Sequence, residues 1–325
     1  MNPTTQSTNS HSKEKPQSNS KVLCPRKACL PNSDGPDSLP VVRHGYFLRK
    51  FDRKKIRRFK CLKCRRTFSR STGSLTFNQK KPFINEILFS YLASQVSKNR
   101  CARLLNVHRI TIARKLAFLG CQSRVDHQKW LEKYQGKRAF NVVQFDEMES
   151  FEHTKLKPLS IPLMVEVTER KILGIDVCVM TAKGLTASLS VKKYGKRPDQ
   201  RVETFKRLFE TVRPSIQPKA EMRSDSHPFY PSIVREMMPE AAHIQEISRR
   251  SSLGGQGELK KIGFDPLYSL NHTAAMIRAN VSRMARKTWC TTKKPSALLD
   301  HLWIYVRYHN EVLTRSIMPI DRIVV

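Results

Sequence analysis

The chain has 325 residues, and its 60 Lys and Arg against 27 Asp and Glu give a formal net charge of +33 at pH 7. This charge favours a polyanionic partner. No run approaches the roughly 18 to 20 apolar residues of a membrane-spanning helix, and residues 1–20 lack the apolar core of a signal peptide. Nucleic acid is therefore favoured over a membrane surface, and eight cysteines without a secretory signal indicate a reducing, cytoplasmic compartment.

The N-terminal part is predicted to contain a tail and a zinc ribbon. Residues 1–20 are rich in Ser, Thr, Asn, Gln and Pro, so a disordered tail is expected. Residues 21–75 contain two close cysteine pairs about thirty residues apart, and four thiolates suit a tetrahedral zinc site. The pairs are Cys24 with Cys29 and Cys61 with Cys64. The alternative is four unliganded thiols in a loop-rich segment.

The same segment is strongly basic. Between Arg43 and Arg70 there are thirteen Lys or Arg and one acid, Asp52, interleaved with aromatic residues. Basic residues with spaced aromatics are typical of a surface that binds a phosphate backbone, so Arg57 and Arg58 are predicted to contact DNA. A solvated charged face is the alternative.

Residues 76–135 are predicted to form a helix-turn-helix domain. Apolar residues recur every three or four positions from Ile84 to Leu92, as in a helix. Ser97 suits a helix cap, Asn106 suits a left-handed turn, and a second helix is expected from about Arg109. The side chains predicted to face outward onto DNA are Arg109, Thr111, Arg114 and Lys115. A helical connector without DNA contacts is the alternative.

From residue 136 to 315 the pattern predicts an α/β core. Three β-rich runs occupy 140–146, 159–167 and 171–180, and a helix follows at 198–212. A strand ending at Asp225, a helix at 230–238 and a short strand at 243–247 complete the order β-β-β-α-β-α-β, followed by further helices. This order is that of a ribonuclease H-like fold, in which the first and fourth strands are neighbours.

Two predicted strands each end on an aspartate, Asp146 and Asp225. On neighbouring strands these carboxylates are expected to share Mg²⁺ (or Mn²⁺) and to support two-metal phosphodiester chemistry. Asp146 also begins a run of four acids with Glu147, Glu149 and Glu152, for which a cation is the expected compensation. A solvated acidic turn is the alternative.

Two residues are candidates for a third ligand. Glu258 lies 33 residues beyond Asp225 in a glycine-rich stretch. Asn271 opens a predicted long helix, and Arg278, seven residues later, is on the same helix face.

The chain resembles the DDE-type transposases of bacterial insertion sequences, especially the branch related to insertion sequence one in which asparagine replaces the third acid. The similarity runs from Cys24 to about Asn310 and includes Arg58-Phe-Lys-Cys-Leu-Lys-Cys-Arg-Arg-Thr-Phe68, Asp146-Glu-Met-Glu-Ser-Phe151, Ser224-Asp225 and Ile277-Arg-Ala-Asn-Val-Ser-Arg-Met-Ala-Arg-Lys-Thr288.

The resemblance implies a catalytic site of Asp146, Asp225 and Asn271, with Arg278 as the basic residue usual seven places later, which is predicted to contact DNA. It also implies that the ribbon and helix-turn-helix bind double-stranded DNA at the terminal inverted repeats, and that the core cuts and joins DNA ends. A homo-oligomer on DNA and association with the bacterial nucleoid are implied as well. The long interval from Asp225 to Asn271 departs from the family pattern and keeps Glu258 as the alternative third ligand. A DNA-binding regulator that has lost catalysis and a nuclease that cuts without joining are the alternative functions.

Overall fold

The computed structural model divides the chain into two compact units, residues 1–82 and 83–325. The predicted tail, residues 1–20, lies outside the described residues. The residues that the structure describes are 22–29, 41–50, 53–136, 139–246, 265–285 and 291–314.

The first unit contains a three-stranded antiparallel sheet, with strands β1 (Val41–Leu48), β2 (Lys55–Cys61) and β3 (Thr67–Ser69). Phe59 of β2 and Phe68 of β3 pack with their ring centroids 5.8 Å apart. The buried residues of its hydrophobic cluster are these two rings and three cysteines, and almost all of β1 is exposed. So small an apolar core makes a metal a natural source of additional stability.

The second unit begins with three helices, α1 (Asn85–Ala93), α2 (Lys98–Leu104) and α3 (Arg109–Leu131). The Ser97 hydroxyl accepts a hydrogen bond from the backbone N–H of Arg100 at 3.4 Å, so it caps α2 as predicted. Asn106 has a φ of 46° in the turn between α2 and α3, which confirms the predicted left-handed turn.

A mixed sheet forms the centre of this unit, with the strand order β6-β5-β4-β8-β9 and the short β7 also paired with β5. Strand β5 is antiparallel to both of its neighbours, β4 and β6, whereas β8 is parallel to both β4 and β9. The strands are β4 (Phe140–Phe151), β5 (Pro158–Glu166), β6 (Ile172–Ile175), β7 (Cys178–Val179), β8 (Ile216–Asp225) and β9 (Ala242–Glu246). The two strands that carry the predicted aspartates are therefore neighbours, as the sequence predicts.

Helices cover both faces of the sheet and bury a separate apolar core on each. On one face, Phe145 of β4 packs against α5 and α6, with Phe209 and Tyr230 at ring centroid distances of 5.3 and 5.0 Å. On the other face, Met148 belongs to the core formed with α7 and α8. These helices are α4 (Ala187–Tyr194), α5 (Arg201–Val212), α6 (Tyr230–Met237), α7 (Tyr268–Asn280) and α8 (Pro295–Tyr308). In the described part of the chain, no helix is both long and apolar enough to cross a membrane.

Helix α8 joins the first three helices to the sheet. Ile304 belongs to the core that α1, α2 and α3 share, whereas Leu298, Leu302 and Tyr305 pack in the core over the sheet. The structure therefore has no division between compact units at the predicted boundary of residues 135 and 136.

Candidate metal centre and aspartate pair

The four predicted cysteines converge. Their sulfur atoms all lie within 4.8 Å of one another, and the Sγ atoms of Cys24 and Cys64 are 3.8 Å apart. Cys29 ends a short 3₁₀ turn, Cys61 is the last residue of β2, and Cys64 follows in the turn toward β3. Four close thiols on separate segments can hold a metal such as zinc, so this part of the prediction is confirmed as a potential site.

The pKa values of three of these cysteines are shifted in different directions. Burial raises the pKa of Cys24, and it raises the pKa of Cys29 to about 12. A hydrogen bond from the Arg66 backbone lowers the pKa of Cys64 to about 7. Metal binding requires thiolates, so a bound dication would offset the cost of burying charge at the first two positions.

Asp146 and Asp225 lie on paired parallel strands. Gln144 of β4 is in register with Arg223 of β8, and each aspartate lies two residues beyond. Side chains two residues apart point to the same face of a strand, so the two carboxylates face the same side of the sheet as neighbours. Burial first, and the charge of Asp225 second, raise the pKa of Asp146 to about 7. Two carboxylates this close favour a shared cation.

The start of α6 and the turn before it donate hydrogen bonds to both carboxylates. The Tyr230 hydroxyl donates to Oδ1 of Asp146 at 3.0 Å, and the backbone N–H of His227 donates to Oδ1 of Asp225 at 3.0 Å. The backbone N–H of Glu147 also donates to Oδ1 of Asp146, at 2.6 Å. Tyr230 and His227 were not anticipated, although both lie within five residues of Asp225, at or just before the start of a predicted helix.

The acids of the run after Asp146 are divided between the two faces of β4. Strand β4 continues past Asp146 to Phe151, and alternation along a strand sends Glu147 and Glu149 to the opposite face. There Glu147 Oε1 lies 3.0 Å from an Arg201 nitrogen, and Glu149 lies 3.1 Å from the Lys183 amine. Asp146 is also in the middle of its strand, not at its end.

The start of α7 is attached to β4 next to the aspartate pair. The buried Gln144 accepts a hydrogen bond from the Leu270 backbone at 2.9 Å and donates one to the Pro266 carbonyl at 2.8 Å. Asn271 lies in the first turn of α7, is exposed, and donates to Oδ2 of Asp265 at 2.9 Å. Asp265 was not anticipated; its position just before a helix, where it also accepts from the Leu267 backbone, is the signal that identifies it.

The described residues do not complete an acidic triad. Among them, the four cysteines are the only group of three or more His, Cys, Asp or Glu residues close enough to hold a metal ion. Glu258 lies outside the described residues, so its role stays a prediction.

The predicted DNA contacts on α3 have different environments. Arg109 and Arg114 are exposed and Thr111 is half-buried. Lys115 is only 5% exposed, and its amine donates to Asn85 Oδ1 at 2.6 Å. Its predicted outward orientation was wrong, because it lies on the buried face with Ile112, Leu116 and Leu119, at the three- and four-residue spacing of a helix.

The remaining predicted contacts are half-buried. The Arg57 guanidinium stacks 4.6 Å from the ring centroid of Tyr46 and hydrogen-bonds to its hydroxyl. Arg58 donates to Thr67 Oγ1 at 2.8 Å, and Arg278 lies on α7.

No protein-family profile matches the chain, and no curated protein shows significant sequence similarity to it.

Proposed function

We propose that this protein is a DNA transposase, in which a metal-dependent α/β core cuts DNA ends and transfers them to a target. The observation that carries the proposal is the aspartate pair on neighbouring parallel strands, with the pKa of Asp146 raised to about 7 by burial and by Asp225. A structural ion pair neutralises its carboxylates with Arg or Lys, as Glu147 and Glu149 are neutralised here. Two acids held together are typical of cation sites instead.

The two carboxylates have the chemistry to hold Mg²⁺ or Mn²⁺. Such an ion, held by Asp146 and Asp225, would retain positions for water and phosphate oxygen and would supply the activation of the attacking oxygen and the stabilisation of the leaving one. Glu147 N–H and the Tyr230 hydroxyl both donate to Oδ1 of Asp146. These two donors orient the carboxylate.

Asn271 is the proposed third group, with Arg278 beside it. Ser269 faces the turn after β5, because its hydroxyl donates to the Val167 carbonyl at 3.0 Å. Asn271 is two residues further along α7, about 200° around the helix axis. We infer that its side of α7 faces away from β5, and Arg278, two helical turns further along, shares that side.

Other features support the proposal. The strand order β6-β5-β4-β8-β9, with three antiparallel strands followed by two parallel ones, is the order of a ribonuclease H-like sheet. The net charge of +33, the basic three-stranded unit and the exposed Arg109 and Arg114 suit double-stranded DNA. We propose binding to the terminal inverted repeats as a homo-oligomer, in the nucleoid of a bacterial cell.

The test uses the full-length chain, Mg²⁺ and linear duplex DNA that carries the sequences flanking the gene. Asp146→Asn and Asp225→Asn are each expected to reduce cleavage by more than about a hundredfold, since even partners of metal ligands contribute about 10 to 100-fold. DNA affinity is expected to stay nearly unchanged. Glu149→Gln is the matched control, because Glu149 lies on the same strand but pairs with Lys183. An Asp146→Asn variant that still cleaves DNA would contradict the assignment of Asp146 as a metal ligand.

The same assay distinguishes the candidates for the third ligand. Asn271→Ala is expected to reduce cleavage more than Glu258→Ala or Asp265→Ala. Equal residual activity in all three variants would leave the choice of Asn271 without support.

A DNA-binding regulator without catalysis is the second candidate. One observation favours it. Within the described residues, no third acid, cysteine or histidine lies close enough to the aspartate pair to form a three-ligand metal site. Tight, sequence-specific binding without Mg²⁺-dependent cleavage or strand transfer would identify the regulator. Cleavage without joining would instead identify a nuclease.

A further inference from the structure

A basic and apolar surface lies between β7 and α5, outside the elements that the sequence predicts. Leu185 is 95% exposed in the 3₁₀ turn before α4, and Leu189 of α4 is 56% exposed. Together with Lys192 and Lys193, which follow at helical spacing on the same side, we call these residues the Leu185 surface. Exposing two large aliphatic side chains four residues apart has a cost in water that a partner would remove.

The charge of this region limits the class of partner. Residues 177–198 contain no acid and five basic residues. Those basic residues are Lys183, Lys192, Lys193, Lys196 and Arg197. Polyanions are attracted to such a segment, whereas a second copy of this chain, with its net charge of +33, is repelled by it. Two aliphatic side chains also form a much smaller apolar area than stable protein interfaces bury.

The surface has a fixed position relative to β4, the strand that carries Asp146. The Ser190 hydroxyl donates to the Leu156 carbonyl at 2.7 Å, and the Lys157 amine lies 4.5 Å from the Tyr194 ring centroid, so α4 is attached to the turn between β4 and β5. The Lys183 amine lies 3.8 Å from a Glu147 carboxylate oxygen. Glu147 adjoins Asp146, so Leu185, two residues beyond Lys183, is near the strand segment that carries the proposed metal ligand.

We propose that the Leu185 surface is a second contact for duplex DNA, in which Leu185 inserts between stacked bases close to the bond that is cut. Apolar side chains flanked by Lys or Arg are used in this way, because the basic residues bind phosphates while the wedge partly unstacks a base step. Lys192 and Lys193 are the phosphate contacts. The inference rests on the proposed function for the identity of the DNA substrate and adds a contact outside the predicted ribbon and helix-turn-helix.

The test measures affinity of the full-length protein for a short fluorescein-labelled duplex, without added Mg²⁺, over a range of salt concentrations. Leu185→Ala is expected to weaken binding about tenfold at every salt concentration, as the loss of buried apolar area predicts. Lys192→Ala with Lys193→Ala is expected to reduce the slope of log affinity against log salt by about 2, one for each lost phosphate contact. Fluorescence of 2-aminopurine in the duplex is expected to rise on binding of the wild type, and not of Leu185→Ala.

Matched controls come from the exposed side of α3 and the turn that follows it. Val125→Ala removes an aliphatic side chain that is 44% exposed, and Lys129→Ala with Lys133→Ala removes two exposed lysines. These variants are expected to bind like the wild type, and melting temperatures show whether each variant is folded.

Two outcomes would overturn the inference. One is a folded Leu185→Ala variant with unchanged affinity and unchanged 2-aminopurine fluorescence. The other is a wild-type protein that is dimeric without DNA and becomes monomeric in the Leu185→Ala variant. The Leu185 surface would then bind a second copy of this chain and not DNA. This assay measures binding and does not depend on cleavage. A protein that binds DNA as expected but does not cleave it would therefore contradict the proposed function and not this inference.

Discussion

The carboxyl group of Asp146 lies where its charge is strongly disfavoured. The surrounding protein removes water from it, and Asp225 adds a like charge beside it. The hydrogen bonds from Glu147 and Tyr230 stabilise the ionised form only in part, so the pKa is raised to about 7. In the absence of a cation, the folded protein therefore holds a proton that the unfolded chain releases.

Stability without metal is therefore expected to depend on pH through Asp146. The pKa of an aspartate side chain free in water is 3.8, and that of Asp146 in the fold is about 7, so between these values the folded state binds more protons. The free energy of unfolding then falls as pH rises from about 4 to 7, by about 2 to 4 kcal/mol from this residue. Urea unfolding at pH 5 and pH 8 measures the change, and Asp146→Asn is expected to remove it.

Asp199→Asn is a control, because Asp199 is expected to change stability with pH in the opposite direction. Hydrogen bonds from Arg201 lower the pKa of Asp199, so its contribution to stability is present at neutral pH and lost toward acid. If wild type and Asp146→Asn lose stability in parallel between pH 5 and pH 8, the buried carboxyl group is not the cause.

At the scale of elements, helices α3 and α8 cross in close contact at Gly120. A Cβ atom on Gly120 would lie 2.6 Å from the Cα and Cβ atoms of Asp300. Backbone atoms cannot move aside as the end of a flexible side chain can. The glycine therefore permits the approach of the two helices at this point.

Gly120→Ala is expected to destabilise the protein by about 1 to 3 kcal/mol, the usual cost of overpacking. Helix propensity alone predicts the opposite sign, since Ala is favoured over Gly in a helix by about 1 kcal/mol. Thermal unfolding distinguishes the two. The control is Ala117→Gly on the exposed side of α3, which is expected to cost only the propensity difference. A stabilised Gly120→Ala protein would show that the helices are further apart than described.

Features determined by short-range chemistry were predictable from the sequence, whereas those determined by tertiary packing were not. Ser97 and Asn106 have the capping and turn roles expected of their side chains, and the period-two pattern identified the strands that pair. The sequence did not predict helix α4, because only Ser190 of that helix is buried and no amphipathic pattern results. The inward orientation of Lys115 depends on Asn85, thirty residues away.

At the scale of the whole molecule, the two compact units differ in how they are stabilised. The second unit has two extended apolar cores on a central sheet, whereas the first has a cluster of two buried phenylalanines and the cysteines. Below about 70 residues a small apolar core rarely suffices without a metal or disulfides. The four free cysteines are therefore expected to determine whether the first unit folds.

Removal of zinc is expected to unfold the first unit and leave the second intact. Hydrogen exchange detected by mass spectrometry measures this: with a zinc chelator or in Cys61→Ser, backbone amides of β2 are expected to exchange rapidly, while those of β4 and β8 stay protected. Cys121→Ser is the control, because Cys121 is exposed and far along the chain from the cluster. Full protection of β2 in a zinc-free protein would contradict the assignment of a structural metal.

The close crossing at Gly120 also has a geometric consequence. Helix α3 has 23 residues and is about 35 Å long, its first turns carry Arg109 and Arg114, and α8 fastens its middle to the sheet of Asp146. Within the described residues, the packing of α3 on α8 and of α8 on the sheet therefore fixes the exposed arginines relative to the aspartates. If the proposed function holds, the protein, and not the DNA sequence, would set the number of base pairs between the DNA that these arginines contact and the bond that is cut.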